Sequence, residues 1–400
     1  MARTHALMVA GDVAMFAALS GSVLFSLSPD AQRPKVLLYL LVSVAPFAVV
    51  APLIGPTIDR IPGGRRFVMQ LTGVLRALLY LVMAFHVDDL LLYPLVFGVM
   101  VLSKTYTVSK SALVPSVVHT ETELVEANSK LGLISGVVGA VVFGPLVGLG
   151  KLHAGLALVP GALFFVAATI SAKRLPRDAV ATRPVETEER QELHSANIVL
   201  GTGAMALIRA ALGFMFFHLF FWLNEDYGLA AFGLAAAAST AGSMLGNVAA
   251  PRLRRRIREE VMLSGALVLV AAGGAVAAAI GGLAAAVVAA GLLNFSSAVG
   301  RMAFDSIVQR DAPDANQGRA FATFEARFQL SWVLGGLPAV LYTLPGQIGF
   351  VVVTLIGVFA AVTYLVGSRA LRHGDALPRS LGARARSGIR STAARRRGRR

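Results

Sequence analysis

The chain has 400 residues, with 37 Lys+Arg against 22 Asp+Glu, a hydrophobic share of 56% and a charged share of 15%. Water-soluble domains are about a quarter charged and just under half apolar. These values exclude an ordinary soluble enzyme and a disordered chain, and they point to a membrane protein with many spans. Cysteine is absent, which removes disulfides, thiolate zinc sites, iron–sulfur clusters and a cysteine nucleophile.

A helix needs about 20 mostly apolar residues to cross a bilayer, and twelve such segments follow one another. The first six are approximately 6–28, 35–58, 67–86, 90–111, 129–150 and 152–172. The second six are approximately 196–224, 227–250, 260–280, 282–302, 320–344 and 347–368. The first is not expected to be a cleaved leader, because no small-x-small site precedes Ser28-Pro29-Asp30. Its short overhang leaves a mis-assigned start codon open. Positive charge alternates loop by loop. One side holds Arg60, Arg65, Arg66, Lys110, Lys173, Arg174, Arg252, Arg254, Arg255, Arg256, Arg258, Arg310 and Arg319; the other holds only Arg33, Lys35 and Lys151. This bias predicts that both termini are cytoplasmic.

The stretch 173–195 carries five basic and five acidic residues with Pro176 and Pro184. It reads as a cytoplasmic linker between two six-helix bundles, 1–172 and 196–368, a duplicated layout common in secondary transporters. From Arg369 to Arg400 there are 11 Arg and one acid, Asp375, without an apolar period. This tail is expected to be disordered and cytoplasmic, with contact to anionic lipid headgroups as its sharper use. No nucleic-acid partner is expected, since no aromatics are interleaved with the arginines.

The second-to-third loop reads Gly55-Pro56-Thr57-Ile58-Asp59-Arg60-Ile61-Pro62-Gly63-Gly64-Arg65-Arg66. It resembles the signature Gly-x-x-x-Asp-Arg-x-Gly-Arg-Arg/Lys of the major facilitator superfamily, with two extra residues between Arg60 and Gly64. In that family the loop latches the two halves on the cytoplasmic side. The resemblance implies that job for Gly55, Asp59, Arg60, Arg65 and Arg66. The eighth-to-ninth loop, Pro251-Arg252-Leu253-Arg254-Arg255-Arg256, lacks the aspartate and takes no role.

Span five reads Ala140-x-x-x-Gly144-Pro145-x-x-Gly148-Leu149. It looks like the antiporter motif of facilitator exporters, although small-residue packing needs the same residues. Two further stretches resemble the third drug:proton antiporter family of high-GC bacteria. One is Ala112-Leu113-Val114-Pro115 with Leu124-Val125-Glu126-Ala127-Asn128; the other runs from Gln309-Arg310-Asp311-Ala312-Pro313 to Glu325-Ala326-Arg327-Phe328-Gln329. The resemblance implies a bacterial inner (cell) membrane location.

Ionisable residues inside spans cost about 2.5–3.5 kcal/mol each on insertion scales, so each is a functional candidate. They are Asp12, Arg76, Lys104, Arg209, His218, Arg301, Glu325 and Arg327, of which Arg301 is placed to snorkel. The facilitator fold lines its cavity with spans one, four, seven and ten, which implies that Asp12, Lys104, Arg209 and Asn294 reach the pathway. Asp12 and Glu325 are the two carboxylates well inside spans, and they are the candidates for proton coupling. The seven histidines form no i, i+4 pair and no phosphate loop occurs, so neither metal nor cofactor is expected.

The expectation is an all-α polytopic membrane protein of twelve transmembrane helices in two six-helix bundles, not an enzyme. It would export a small amphipathic or apolar compound against protons by alternating access. Uptake or facilitated diffusion, and a non-transporting membrane factor whose basic tail recruits a partner, stay open.

Overall fold

A computed structural model of the chain describes residues 1–19, 64–87, 91–114, 121–175, 195–311 and 317–372. Every regular element among these residues is helical. The helices are α1 (Ala2–Leu19), α2 (Gly64–Phe85), α3 (Leu92–Leu113), α4 (Glu121–Leu152), α5 (Ala154–Ala172), α6 (Ala196–Asp226), α7 (Leu229–Arg254), α8 (Glu259–Ile280), α9 (Gly282–Asp311), α10 (Gln317–Leu341) and α11 (Gly346–Arg372). Of these, α2, α4, α5, α6, α8, α9 and α11 are long and apolar enough to cross a membrane. The span expected at 35–58 and most of the linker lie outside the described residues, as does the tail beyond α11.

Several helices run past the ends that hydropathy suggests. The apolar stretch near 282–302 is the outer part of a 30-residue helix reaching Asp311. Its last turns are polar, yet Asp305 and Gln309 are buried there, turned toward neighbouring helices. Likewise α11 continues through Arg369 to Arg372, where the tail was expected to begin.

The described helices pack as two groups. In the first, α1 lies on α4 and α5, and α2 lies on α3 and α5, around Met8, Tyr80, Leu158 and Phe165. In the second, α7 packs on α9, α6 on α10, and α8 on α9 and α11. Phe304, Phe321 and Phe328 fill one end of that group; Phe214, Phe221 and Phe350 fill the other. Small residues set the spacing, as in other membrane bundles. A Cβ at Gly242 would overlap the Gly291 carbonyl, and one at Gly335 would overlap the backbone of Ala210. The tight turn from α8 to α9 uses Gly281 and Gly282 at φ 68° and 75°, a region open to glycine.

The two groups meet at the end that carries the start of α1 and the end of α11, called here the terminal end. There Asn128 of α4 donates to Gln309 Oε1 of α9 at 2.9 Å. Gln309 in turn donates to the Ser111 carbonyl of α3 at 3.1 Å. Ser129 donates to the Asn247 carbonyl of α7, and Val108 of α3 is buried in the aromatic core of the second group.

Away from this end the groups part. Gly132, Gly136, Gly139 and Phe143 share one face of α4. A Cβ at Gly132 would strike Asn247 and one at Gly136 would strike Met244, but one at Gly139 meets no described residue within 4 Å, and Phe143 is exposed. The facing stripe of α7 shows the same change. Asn247 is buried, Thr240 and Ala237 are exposed, and Gly233 has no described neighbour within 4 Å of an added Cβ. Among the described residues the result is a cleft between α4 and α7, closed at the terminal end and open at the other.

A charge cluster ties α7, α8 and α9 together at the terminal end. Glu259, 1% exposed, takes Arg254 at 2.5 Å on one oxygen and Arg310 at 3.4 Å on the other. Arg310 also reaches Glu260 at 3.2 Å and Asp311 at 2.6 Å. The basic loop after α7 therefore does have a carboxylate partner, contributed by the first turn of the next helix rather than by the loop. Removing one member of a buried pair strands its partner, at a cost of about 3–5 kcal/mol. Glu259→Gln is expected to lose about that much in detergent-solubilised unfolding, against less than about 0.5 kcal/mol for the exposed Glu225→Gln. Equal losses in the two variants would show that the cluster does not hold these helices.

Candidate functional site

A carboxylate at mid-depth in a span needs a partner or water. Asp12 of α1 has a partner and is partly exposed. Arg76 of α2, fully buried, donates from Nη1 to Asp12 Oδ1 at 2.5 Å, while the Asp12 side chain keeps 26% of its surface exposed. The guanidinium lies over the Phe165 ring at 4.1 Å and faces the Tyr106 ring at 5.6 Å. These contacts suit a cation held away from water. Tyr80 donates to the Gly11 carbonyl at 3.0 Å and braces the same turn of α1.

The second group holds the other ionic knot. Arg301 of α9 meets Asp305, one turn along its own helix, at 2.7 Å. It also pairs with Glu325 of α10. Arg301 does not snorkel: it turns inward, with its guanidinium 5.7 Å from the Phe328 ring centre. Arg327, two residues beyond Glu325, is exposed on the far side of α10.

Lys104 and Arg209 complete the group from α3 and α6. Lys104 interacts electrostatically with Glu325, Arg209, Asp12 and Arg301. Arg209 does so with Arg301, Glu325 and Asp305. Asp12, Lys104, Arg209, Arg301 and Glu325 are all partly exposed, although Arg209 lies about 20 Å along its helix from the terminal end at 1.5 Å per residue. Side chains from both halves thus gather where the cleft reaches its floor. Such an arrangement can exchange ion-pair partners and hold an ionised solute out of the hydrocarbon.

Asn294 is not part of this gathering. It donates to the Ala290 carbonyl of its own helix at 2.9 Å. Gly55, Asp59 and Arg60 lie outside the described residues, as does the Arg65 side chain. Arg66 donates to the Leu175 carbonyl at 3.1 Å and so ties α2 to the end of α5 within the first group. Gly144, Pro145 and Gly148 are exposed, and among the described residues nothing lies within 4 Å of a Cβ built on either glycine. They stand with Val137 and Val141 on a face of α4 separate from the stripe that meets α7.

Three residues that hydropathy passes over belong to the site or its closed end: Asp305, Gln309 and Asn128. Asp305 and Gln309 fall beyond the apolar stretch. The signal that marks Asp305 is its i, i+4 spacing from Arg301.

The Asp12–Arg76 pair carries a direct test. Asp12→Asn alone leaves a buried arginine unanswered and is expected to cost about 3–5 kcal/mol in unfolding. The double variant Asp12→Asn with Arg76→Met is expected to recover most of that. A double variant as unstable as the single would show that the two side chains are not coupled.

The comparisons with known proteins agree with this architecture. The Major Facilitator Superfamily pattern matches residues 6–336. An uncharacterised protein of Mycobacterium leprae (strain TN) is 30% identical over 414 residues, covering 93% of this chain and 70% of its own length. One of Mycobacterium tuberculosis (strain ATCC 25618 / H37Rv) is 33% identical over 420 residues, covering 93% and 73%. Among solved structures, a bacterial homologue of the iron transporter ferroportin in an outward-facing state matches at a TM-score of 0.70 and 21% identity, over 92% of this chain and 98% of that one. The human organic anion transporter MFSD10 (TETRAN) matches at 0.66 and 17%, over 90% and 98%. With helices in two groups, a cleft between them and a family match across most of its length, the chain belongs to the major facilitator superfamily of membrane transporters.

Proposed function

We propose that the chain is a secondary active carrier that exports a small solute in exchange for protons. Its two halves, 1–172 and 196–368, rock about the charged floor of the cleft. The observation that carries this reading is the pair of stripes on α4 and α7, in contact at Gly136 and Met244 and apart from Gly139 onward. A cleft sealed by a few side chains at one end is what alternating access requires of one of its two states. If the arginine-rich loops and both termini are cytoplasmic, as the charge bias favours, the cleft opens outward. Asn128, Gln309 and Ser111 then form the cytoplasmic closure.

Glu325 is the preferred proton carrier. Its partner Arg301 has a second carboxylate, Asp305, so Glu325 can be neutralised without leaving Arg301 unanswered. Asp12 has less freedom, because Arg76 depends on it. In this reading Gly55, Asp59, Arg60, Arg65 and Arg66 steady the cytoplasmic closure, and the basic tail sits on anionic lipid. Uptake is the second reading. It is favoured by the position of Gly144 and Gly148 away from the α4–α7 stripe, with no described residue within 4 Å of a Cβ built on either.

Everted vesicles containing the purified chain and a pH-sensing dye test this. One member of a panel of lipophilic acids, cations and neutral metabolites is expected to release protons, and Glu325→Gln is expected to abolish the release. Solute movement that is indifferent to the pH gradient and unchanged in Glu325→Gln would replace exchange with facilitated diffusion or uptake.

A further inference from the structure

Cationic side chains at the cleft floor outnumber acidic ones among the described residues. Among the described residues, Arg76, Lys104, Lys110, Arg209 and Arg301 form one electrostatic group with only Asp12, Asp305 and Glu325. Arg76 engages Asp12, and Arg301 engages both Asp305 and Glu325. Arg209 is left over. Among the described residues its Nε is buried without a hydrogen-bond partner, and no carboxylate pairs with it. An arginine at mid-depth in a membrane is costly unless something answers its charge. Its fork of donors suits a carboxylate, sulfonate or phosphate.

What stands above Arg209 is equally specific. Phe216 is seven residues further along α6 and so on the same face, about 10 Å toward the open end at 1.5 Å per residue. It is 47% exposed. Its ring lies 6.1 Å from Trp332 of α10 and 5.7 Å from Phe232 of α7. Trp332 is itself seven residues beyond Glu325. The cleft therefore presents an aromatic wall directly above a cationic floor.

We infer that the solute is an amphiphilic organic anion, its acidic group seated on Arg209 and its apolar body against Phe216 and Trp332. This deepens the carrier reading and rests on it. It also narrows the expectation of an amphipathic or apolar compound: a purely apolar solute would leave Arg209 unanswered, and a cation would add to the positive excess.

The test is equilibrium binding by calorimetry to the full chain in lipid nanodiscs. The probes are phenylacetate, 4-phenylbutyrate and 6-phenylhexanoate, each beside its amine and alcohol counterparts. At least one acid is expected to bind saturably and more tightly than its counterparts. Arg209→Gln is expected to weaken it by about tenfold to a hundredfold, as for loss of a hydrogen bond to a charged group. Arg209→Lys, which keeps the charge, is expected to retain part of the affinity, and Phe216→Ala to weaken the longer acids more than phenylacetate. Amines or alcohols binding as well as the acids, acid binding unchanged in Arg209→Gln, or no saturable binding by any acid would overturn the inference. Binding is read without a gradient, so failure of proton exchange in vesicles is a separate result and leaves this one standing.

Discussion

A charge placed in the hydrocarbon layer must be met by an opposite charge, a hydrogen bond or water, and this constraint organises the interior of the protein. Arg76 is met by Asp12 and by two aromatic faces. Arg301 is met by Asp305 and Glu325. Because Asp12 and Glu325 come from other helices than the arginines they meet, meeting the charges also links α1 to α2 and α9 to α10. Arg209 has no carboxylate paired with it among the described residues, and its partly exposed position at the floor of the cleft leaves it open to water or solute.

The same constraint separates fastening from switching. The cluster of Arg254, Glu259 and Arg310 lies wholly within the second group, has nearly no exposure at Glu259, and holds α7, α8 and α9 as one piece. Beside the electrostatic interactions of Lys104 with Glu325 and Arg301, the contacts between the groups at the terminal end, among the described residues, are of another kind. They are neutral hydrogen bonds through Asn128, Gln309 and Ser111, and small-residue contacts at Gly132 and Gly136. Neutral hydrogen bonds contribute roughly 0.5–1.5 kcal/mol each, so the closure at the terminal end can break without dismantling either half. Strong pairs inside each half and weak ones between them suit rigid-body rocking.

Much of the architecture is legible in the sequence because hydropathy and loop charge act residue by residue. Seven of the described helices are apolar enough for a window average to find them, and the family resemblance rests on short motifs. Helix ends and pairings are less legible. The polar end of α9 looks like loop to a hydropathy average, yet it buries Asp305 and Gln309. The loop after α7 reads as lacking a carboxylate because Glu259 comes after the loop, and its partner Arg310 is 51 residues away in sequence. Arg301 reads as a snorkelling residue by depth alone; only the rotation of α9 relative to α10 brings it to Glu325. Asn294 shows the converse, a polar side chain at a plausible depth that bonds to its own helix. Depth is readable from one sequence, whereas rotation about a helix axis depends on what the neighbouring helices present.

Alternating access is the central claim, and distances across the cleft test it most directly. The chain has no cysteine, so introduced pairs can be spin-labelled without background. One pair, Lys130→Cys with Leu245→Cys, reports the terminal end; another, Phe143→Cys with Ala237→Cys, reports the open end. In lipid without solute, the first distance is expected to be short and the second long. With an imposed pH gradient and solute, a second population should appear in which the first lengthens as the second shortens. Two distances that stay fixed under every condition, in protein that binds its solute, would contradict the account.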